Sequence, residues 1–556
     1  LSPARDCLIC NNLALAMWLC YLIAFVFTFY GASIRIKLMS QTYYITTPIY
    51  YVNDKPHIGH AYTTLSCDVM ARFKRLDGFD VTFLTGTDEH GQKVEKAAEV
   101  AGVTPQKFTD QVSQNFRDLT AKLNFSNDDF IRTTEDRHKQ ACQKIWSILQ
   151  ENGHITLGKY EGWYSVRDET FFTETELVDG KAPTGAPVEW VEEPSYFFNL
   201  SEWQDKLLAF YASNPDFVGP ESRFNEVKSF VKGGLRDLSV SRASFKWGVP
   251  VPDDEDHVMY VWLDALTNYV TATSWPVDGA NGDAEKHERL WPADLHMVGK
   301  DILRFHAVYW PAFLMAAGLP LPKRVFAHGW WTNEGQKISK SLGNAIDPNR
   351  LAETYGLDQT RYFLMREVPF GNDGIFSVPA LTQRINGDLA NDLGNLSQRV
   401  LSMIFKNCDG IMPAQPEKLA PEDQSLLARV DALLGTVRQH IDKQAFHEAL
   451  RVIWQVISNA NRYVDNVAPW ALKKTDPVRM AEVLAILAET VRQVAILVQP
   501  VMPDAAAKIL DQLGVDPAAR DFTQLAGQAR LANGQVIAKP EPVFPRFVDE
   551  ADTNAG

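Results

Sequence analysis

Cysteine is scarce and badly spaced for a framework. Six occur in 556 residues, at positions 7, 10, 20, 67, 142 and 408, three of them within the first twenty. That spacing argues against a disulfide-stapled scaffold and suits a reducing compartment, so a cytoplasmic location is expected. No pair in the body stands at metal-ligand spacing, and no metal is expected there. Positive charge is also in deficit: 55 Lys and Arg against 69 Asp and Glu, a formal net charge of -14. Such a chain has no global field to draw in a polyanion. Any nucleic acid must meet a local basic patch, which disfavours a DNA-packaging role and leaves specific RNA recognition open. Residues Leu13 to Ile34 lack charge altogether and are long enough to cross a bilayer, with Arg35 and Lys37 just beyond. Two readings stand for this run, a signal anchor or an extension upstream of a natural start at Met39-Ser40-Gln41. The second is adopted: residues 1–38 are set aside as a hydrophobic extension, with no membrane partner for the main body.

What remains is ordinary globular composition, 46% hydrophobic and 22% charged, long enough for roughly three or four units. Tyr43 to Thr47 is a short β-prone run that breaks at Pro48 and at Asn53-Asp54-Lys55-Pro56. Ile58, Tyr62, Leu65, Val69, Phe73 and Leu76 then recur at helical spacing up to Gly78. Val81 to Thr85 reads as the next strand, Gly86 as the start of a loop, and about Gln92 to Ala101 as a helix. Alternation of this kind predicts a doubly wound, parallel, Rossmann-like α/β sheet with ligands at the carboxyl ends of its strands. Residues 39–150 form its first half. From 151 to 255 aromatics and glycines crowd into short alternating runs, predicting an inserted, mainly β subdomain. The parallel pattern resumes over 256–387, through Val258 to Asp264, His296 to Gly299 and Val325 to Trp331. Residues 388–535 are helix-prone, with apolar spacing in Leu426 to Ile441, Ala445 to Val464 and Val483 to Val498, predicting an α-helical bundle. The Pro-rich tail, 536–556, is expected to wrap back over the surface.

Two short motifs carry chemistry. His57-Ile58-Gly59-His60 opens the first helix, where unpaired N–H groups and the dipole favour phosphate. The imidazoles add donors, and Gly59 lets a nucleotide approach the backbone. Lys337-Ile338-Ser339-Lys340-Ser341 lies in a polar, glycine-punctuated segment. Two lysines three apart can clamp a departing pyrophosphate, because point charges on flexible stems follow a moving anion. Either motif alone also fits a surface turn or a solvated basic loop.

In this order on one chain they resemble the two signatures of class I aminoacyl-tRNA synthetases. Gly86-Thr87-Asp88-Glu89-His90-Gly91-Gln92-Lys93, Tyr260-Val261-Trp262-Leu263-Asp264-Ala265 and Gly299-Lys300-Asp301-Ile302 are similar to the methionyl branch of that family, and the resemblance runs from Met39 to about Phe547. It implies an ATP- and Mg2+-dependent ligase that forms methionyl-adenylate and passes the methionyl group to the 2′-hydroxyl of tRNA(Met), initiator tRNA included. His57, His60, Lys337 and Lys340 are then catalytic, with Gly59, Gly299, Asp301 and Ser339 also on ATP. Asp88 holds the substrate amine, and Ile49, Tyr51, Trp262, Tyr269, Ile302 and His306 form the methionine pocket, a polarisable wall suited to a thioether. Asn395, Arg399 and Trp470, in the helical part, fall where the family reads the anticodon, Trp470 as a stacking platform.

The sequence departs from the family in its insertion. Many relatives carry a cysteine-paired zinc knuckle there, whereas residues 143–407 hold no cysteine, so a zinc-free insertion held by aromatics is expected. The absence of a further RNA-binding domain after the bundle favours a monomer. A small-molecule nucleotidylyltransferase would share the histidine motif but usually lacks a helical module. A leucine, isoleucine or valine synthetase would carry a larger insertion, and a catalytically dead RNA-binding paralogue would not need both motifs intact.

Overall fold

Short apolar strands alternating with helices close into a parallel sheet, because each right-handed crossover returns the chain in the same direction. The computed structural model describes residues 41–52, 55–167, 170–172, 174–333, 336–337, 346–525, 527 and 529–548. Its first half includes β1 (Thr42–Thr46), β2 (Tyr50–Tyr51), helix α1 (Ile58–Leu76), β3 (Asp80–Asp88), β4 (Asp129–Arg132) and α2 (Asp136–Glu151), with the expected helix Gln92–Val100 and a further one, Pro105–Lys122, between β3 and β4. The inserted region supplies β5 (Ile155–Ser165), β6 (Thr170–Phe172), β7 (Glu189–Phe198), α3 (Gln204–Ser213), β8 (Val218–Gly219) and α4 (Glu221–Lys232). It ends in β9 (Leu238–Ser239), β10 (Ser241–Arg242), β11 (Pro250–Val251) and β12 (Asp254–Met259). Helix α5 (Val261–Thr271), β13 (Leu295–Gly299), β14 (Val325–His328), β15 (Trp331–Asn333), β16 (Gln336–Lys337), α6 (Leu357–Arg366) and β17 (Gly374–Phe376) follow.

The central sheet runs β2-β3-β1-β13-β14-β8, with β4 beside β3, and every pairing in it is parallel. β1 and β13, adjacent in space, are some 250 residues apart in sequence, Ile45 opposite Leu295. Their junction is the switch point where a ligand crevice is expected.

Two local expectations are corrected, and the mainly β insertion gains helices beside its strands. β3 runs on through Gly86 and Thr87 to Asp88, because Leu84 to Thr87 pair with Asp129 to Arg132 and Tyr51 pairs with Asp88. A side chain at 86 would put its first carbon 2.1 Å from the carbonyl oxygen of Ile131, so this close approach requires glycine. Val258 to Asp264 does not continue the parallel sheet. β12 pairs antiparallel with β10 and β11, and the motif beyond it, Trp262 included, forms the first turn of α5. A short apolar run buried on most sides has no periodicity to separate strand from helix. The insertion is more than strands: after the β6-β5-β7-β9 sheet, α3 and α4 flank β8, which returns as an edge of the central sheet. Aromatic contacts hold it, Phe198 against Phe313 at 4.8 Å and Trp146 against Tyr196 at 5.3 Å.

The carboxy-terminal part is helical: Val378–Arg384, a wider-wound stretch Ile385–Gly394, α7 (Asn395–Asn407), Pro421–Asp431, Leu433–Asp442, α8 (Phe446–Val467), Pro469–Thr475, α9 (Pro477–Val498) and Pro503–Gln512. Position 388 lies within one unbroken helical run. The described part of the tail, 536–548, wraps back: Val536 bridges to Ile411, Phe544 is buried, and Phe547 packs on Tyr355 at 4.8 Å.

Helix α1 belongs to both halves. Its predicted face (Ile58, Tyr62, Leu65, Val69, Phe73 and Leu76) is buried, except that Leu76 is half-buried. Thr64, Ser66, Cys67 and Asp68 are buried as well, Thr64 against Tyr50 and Cys67 against Thr46 of the sheet. Arg361 of α6 joins the Asp68 carboxylate at 2.5 Å while donating to the carbonyls of Pro500 and Val501. Lys74 meets Asp442, and Asp77 meets Arg438. Residues 1–40, with the apolar run Leu13 to Ile34, lie outside the described residues. Among the described residues no helix is long and apolar enough to cross a membrane.

Candidate active site

The crevice at the sheet's switch point is a cavity of about 740 Å³. It brings together Ile49, Tyr51, His57, Gly59, His60, Asp88, Trp262, Tyr269, Gly299, Asp301, Ile302 and His306, residues that the sequence scatters over some 260 positions.

The histidine motif forms a reciprocal cap on α1. His57 Nδ1 accepts from the backbone N–H of Gly59 at 3.0 Å, and His60 Nδ1 accepts from that of His57 at 3.1 Å. With both Nδ1 atoms acting as acceptors, each neutral ring carries its proton on Nε2. The rings lie 3.9 Å apart, and His60 sits edge-on to Tyr50 and Phe116. The result is a fixed pair of N–H donors at a helix amino terminus, an arrangement that suits oxyanions.

The chain flanking the lysine motif is described on both sides. β16, which ends at Lys337, hairpins against β15, and β15 follows the cavity-lining residues His328, Gly329 and Trp330. Beyond the motif, the carbonyl of Ile346 accepts a hydrogen bond from the N–H of Ile58 at 3.1 Å. The chain on either side of the lysine motif is therefore anchored at the cavity edge. The Lys337 side chain, and Ser339, Lys340 and Ser341 altogether, lie outside the described residues.

Asp88 ends β3 and is 7% exposed. Across the cavity, Trp262 stacks on Phe305 at 3.5 Å. Tyr269 Oη lies 2.6 Å from His306 Nε2, and His306 Nδ1 lies 2.9 Å from the carbonyl oxygen of Ile302. Only one proton arrangement of a neutral ring satisfies both contacts: Nδ1–H donates to Ile302 and Nε2 accepts from the tyrosine. Burial pushes His306 down to about 4 and raises the Tyr269 hydroxyl well above its ordinary value. This wall is accordingly uncharged near neutral pH, as a neutral side chain requires.

Asp301 accepts from Trp330 Nε1 at 3.1 Å, and the same indole receives the Lys300 ammonium at 4.1 Å from its ring centre. His328 bonds Thr63 on the second turn of α1 at 2.7 Å. Sequence reasoning missed Trp330 and His328. Their position at and just beyond the carboxyl end of β14, a strand of the parallel sheet, was the available signal, since such sheets bind at those ends.

A second cluster lies in the helical part. Asn395 and Arg399 are one turn apart on α7. Arg399 pairs with Asp465 at 2.9 Å and lies 5.5 Å from the Trp470 ring. Ala468 takes a left-handed conformation (φ 49°), ending α8 and starting a new helix at Pro469. This break leaves Trp470 49% exposed. Asp465 was the member not anticipated. His138, Cys142 and Asp264 also offer ligand-type atoms within 4.8 Å of one another. The 2.7 Å between His138 Nε2 and Asp264 Oδ1 is hydrogen-bond spacing.

Comparison with known proteins agrees over nearly the whole length. The family model described as class I tRNA synthetases (M) matches residues 43–189 and 182–401, and that of the anticodon binding domain of methionyl tRNA ligase matches 412–555. Methionine–tRNA ligase of Rickettsia felis is 58% identical, over 92% of this chain and 99% of its own. That of Rhizobium meliloti is 57% identical over the same shares. The Mycobacterium tuberculosis methionyl-tRNA synthetase solved in complex with methionyl-adenylate superposes with a TM-score of 0.88, at 54% identity, over 91% of this chain and 100% of that one. With its parallel catalytic sheet, helical carboxy-terminal part and this degree of likeness, the chain belongs to the methionyl-tRNA synthetase family of class I aminoacyl-tRNA synthetases.

Proposed function

We propose that the cleft performs both steps of methionine–tRNA ligation, with the reciprocal cap of His57 and His60 as its principal phosphate-binding device. As a family member the chain is an ATP-using ligase that activates methionine and charges tRNA. The residue roles are our reading. The Asp88 carboxylate takes the substrate ammonium, and Trp262, Tyr269, Ile302 and His306, with Ile49 and Tyr51, enclose the thioether. Methionine is thereby held with its carboxylate facing the α-phosphorus of ATP. Mg2+ arrives with the nucleotide. Gly299 and Asp301 meet its base and ribose, and Gly59 admits the phosphates.

In the first step a carboxylate oxygen bonds to the α-phosphorus while the bond to pyrophosphate breaks. The His57 and His60 Nε2–H groups stabilise the charge that builds on the phosphate oxygens. Lys337 and Lys340, with Ser339, draw off the leaving group. In the second step the 2′-hydroxyl of the terminal adenosine attacks the carbonyl, and AMP leaves. Asn395, Arg399 and Trp470 read the anticodon of tRNA(Met), initiator tRNA included. The enzyme works as a cytoplasmic monomer.

One observation carries this reading: the hydrogen bond between Ile58 and Ile346, which ties the entrance of the histidine helix to the chain just beyond the lysine motif. Amino-acid-dependent ATP–pyrophosphate exchange tests it. Methionine alone among the standard amino acids should support exchange, and Lys340→Ala should lower the rate by about a hundredfold. A loss below about threefold removes the lysine from this role.

A further inference from the structure

Helix α5 has two working faces. Trp262, Ala265, Leu266 and Tyr269, at i, i+3, i+4 and i+7, line the cleft. Asp264 and Thr271 lie on the other side, against α2. Asp264 is 1% exposed, and both of its carboxylate oxygens are taken by imidazoles. Oδ2 is 2.7 Å from His90 Nδ1, and Oδ1 is 2.7 Å from His138 Nε2 on α2. Thr271, two turns further along α5, contacts the other nitrogen of His138 at 3.4 Å.

His90 stands two residues beyond Asp88, and the residue between them is fixed as firmly. Glu89 is fully buried and receives Arg132 through two nitrogens, at 2.7 and 2.9 Å, together with the hydroxyls of Thr87 and Thr134. The chain leaving Asp88 is thus gripped on one side through Glu89 and on the other through His90. Only the His90 grip leads to the helix that carries the opposite wall of the methionine pocket.

Burying a carboxylate is costly unless every lone pair is used, and an apolar residue would pack α5 on α2 more cheaply. Burial alone would raise the Asp264 carboxyl, but the two imidazoles outweigh it and hold it well below the ordinary range. The ionised form that accepts two N–H donors is therefore the one maintained. A group kept charged at that cost, between the two halves of a pocket, fits a role in geometry better than one in packing.

We infer that Asp264, clamped between His90 and His138, is a positioning residue that fixes the separation between the Asp88 carboxylate and the Trp262–Tyr269 wall. The two ends of methionine, ammonium and thioether, are then read by one rigid unit. This inference rests on the roles proposed above for Asp88 and Trp262.

The test uses the full chain in ATP–pyrophosphate exchange, with KM for methionine and for ATP measured separately. Asp264→Asn keeps the shape but places an amide where one imidazole N–H must be accepted. His138→Leu removes one side of the clamp, and His138→Gln retains a donor near the Nε2 position. Methionine KM should rise at least about tenfold in Asp264→Asn and His138→Leu, ATP KM should stay within about twofold, and His138→Gln should recover most of the loss. Unchanged methionine KM in folded Asp264→Asn overturns the inference, as does a parallel rise in both KM values. Should Asp264→Asn not fold, the His138 pair decides, and equal behaviour of Leu and Gln overturns it. Asp88→Asn separates the two layers: if that variant keeps a normal methionine KM, the underlying assignment of Asp88 is what fails.

Discussion

Two tryptophans mark the two clusters, one in the cleft and one in the helical part. Trp262, at the cleft, is stacked on Phe305 at 3.5 Å and sits on a helix anchored by a buried carboxylate. Trp470, in the helical part, is 49% exposed, with Arg399 5.5 Å from its ring and a new helix starting beneath it. The cleft is built in advance. Its histidines form a reciprocal cap, its tyrosine is bonded to His306, and its Asp301 accepts a hydrogen bond from Trp330. Among the described residues, the cluster in the helical part rests on one ion pair and one cation–π contact. A small substrate in a reaction that needs sub-ångström alignment calls for the first kind of site. An unpaired base on a flexible strand is better met by an open ring with an adaptable cation beside it.

The comparison can be broken at either end. The largest effect is expected in the cleft: His60→Ala should lower pyrophosphate exchange by about a hundredfold while leaving KM for tRNA near that of the parent enzyme. A tRNA defect of similar size would mean that the two ends are not separable. Next, Trp470→Ala should reduce kcat/KM for tRNA charging by roughly ten- to a hundredfold, the worth of one stacked base, with exchange unaffected. Trp262→Ala should show the reverse pattern, a methionine defect with normal tRNA binding. If both variants behave alike, the contrast between a fixed and an adaptable aromatic is wrong.

A smaller effect is expected from Asp465→Ala, which frees Arg399 from its ion pair. Exposed pairs contribute little to stability, roughly 0–1 kcal/mol, so thermal unfolding should barely move while tRNA KM shifts a few-fold. A marked drop in melting temperature would make the pair structural.

A last effect, on stability alone, concerns the joint between the halves. Burial raises the Asp358 carboxyl from 3.8 to about 6, with Asp504 adding to it, while its Oδ2 accepts from the backbone of Ala505. The folded state therefore keeps a proton that the unfolded chain releases between these two values. That stabilisation is complete below 3.8 and is lost as pH rises through about 6. Asp358→Asn should melt higher than the parent at pH 7.5, by the equivalent of about 1–3 kcal/mol, and the gap should close toward pH 4. A gap independent of pH would rule out titration of this carboxyl as the cause.

Much of this could be read from the chain. The face of α1 followed from its apolar spacing, and the histidine and lysine motifs were visible as strings, since both depend on residue order over a few positions. Other features were not legible. Gly86 looked like the start of a loop, yet it is strand, because only the neighbouring Ile131 carbonyl makes glycine necessary there. Trp262 sits in a run whose period could not separate strand from helix. Asp465 became part of the exposed cluster only when α7 and α8 packed together. Asp264 stood inside a recognised motif, but nothing in the string pairs it with His90 and His138, at 174 and 126 residues' distance.

The sequence by itself determined the local chemistry: which residues could bind phosphate, which could stack, and which strongly periodic segments, α1 among them, would be helix. Those properties depend on side-chain type and on spacing within one or two turns. Tertiary structure alone decided which of these residues meet. The pairing of β1 with β13, the bond from Ile58 to Ile346 and the double grip on Asp264 each join segments more than a hundred residues apart. Such contacts are set by how whole elements pack around a shared core, and no short window of sequence contains that information.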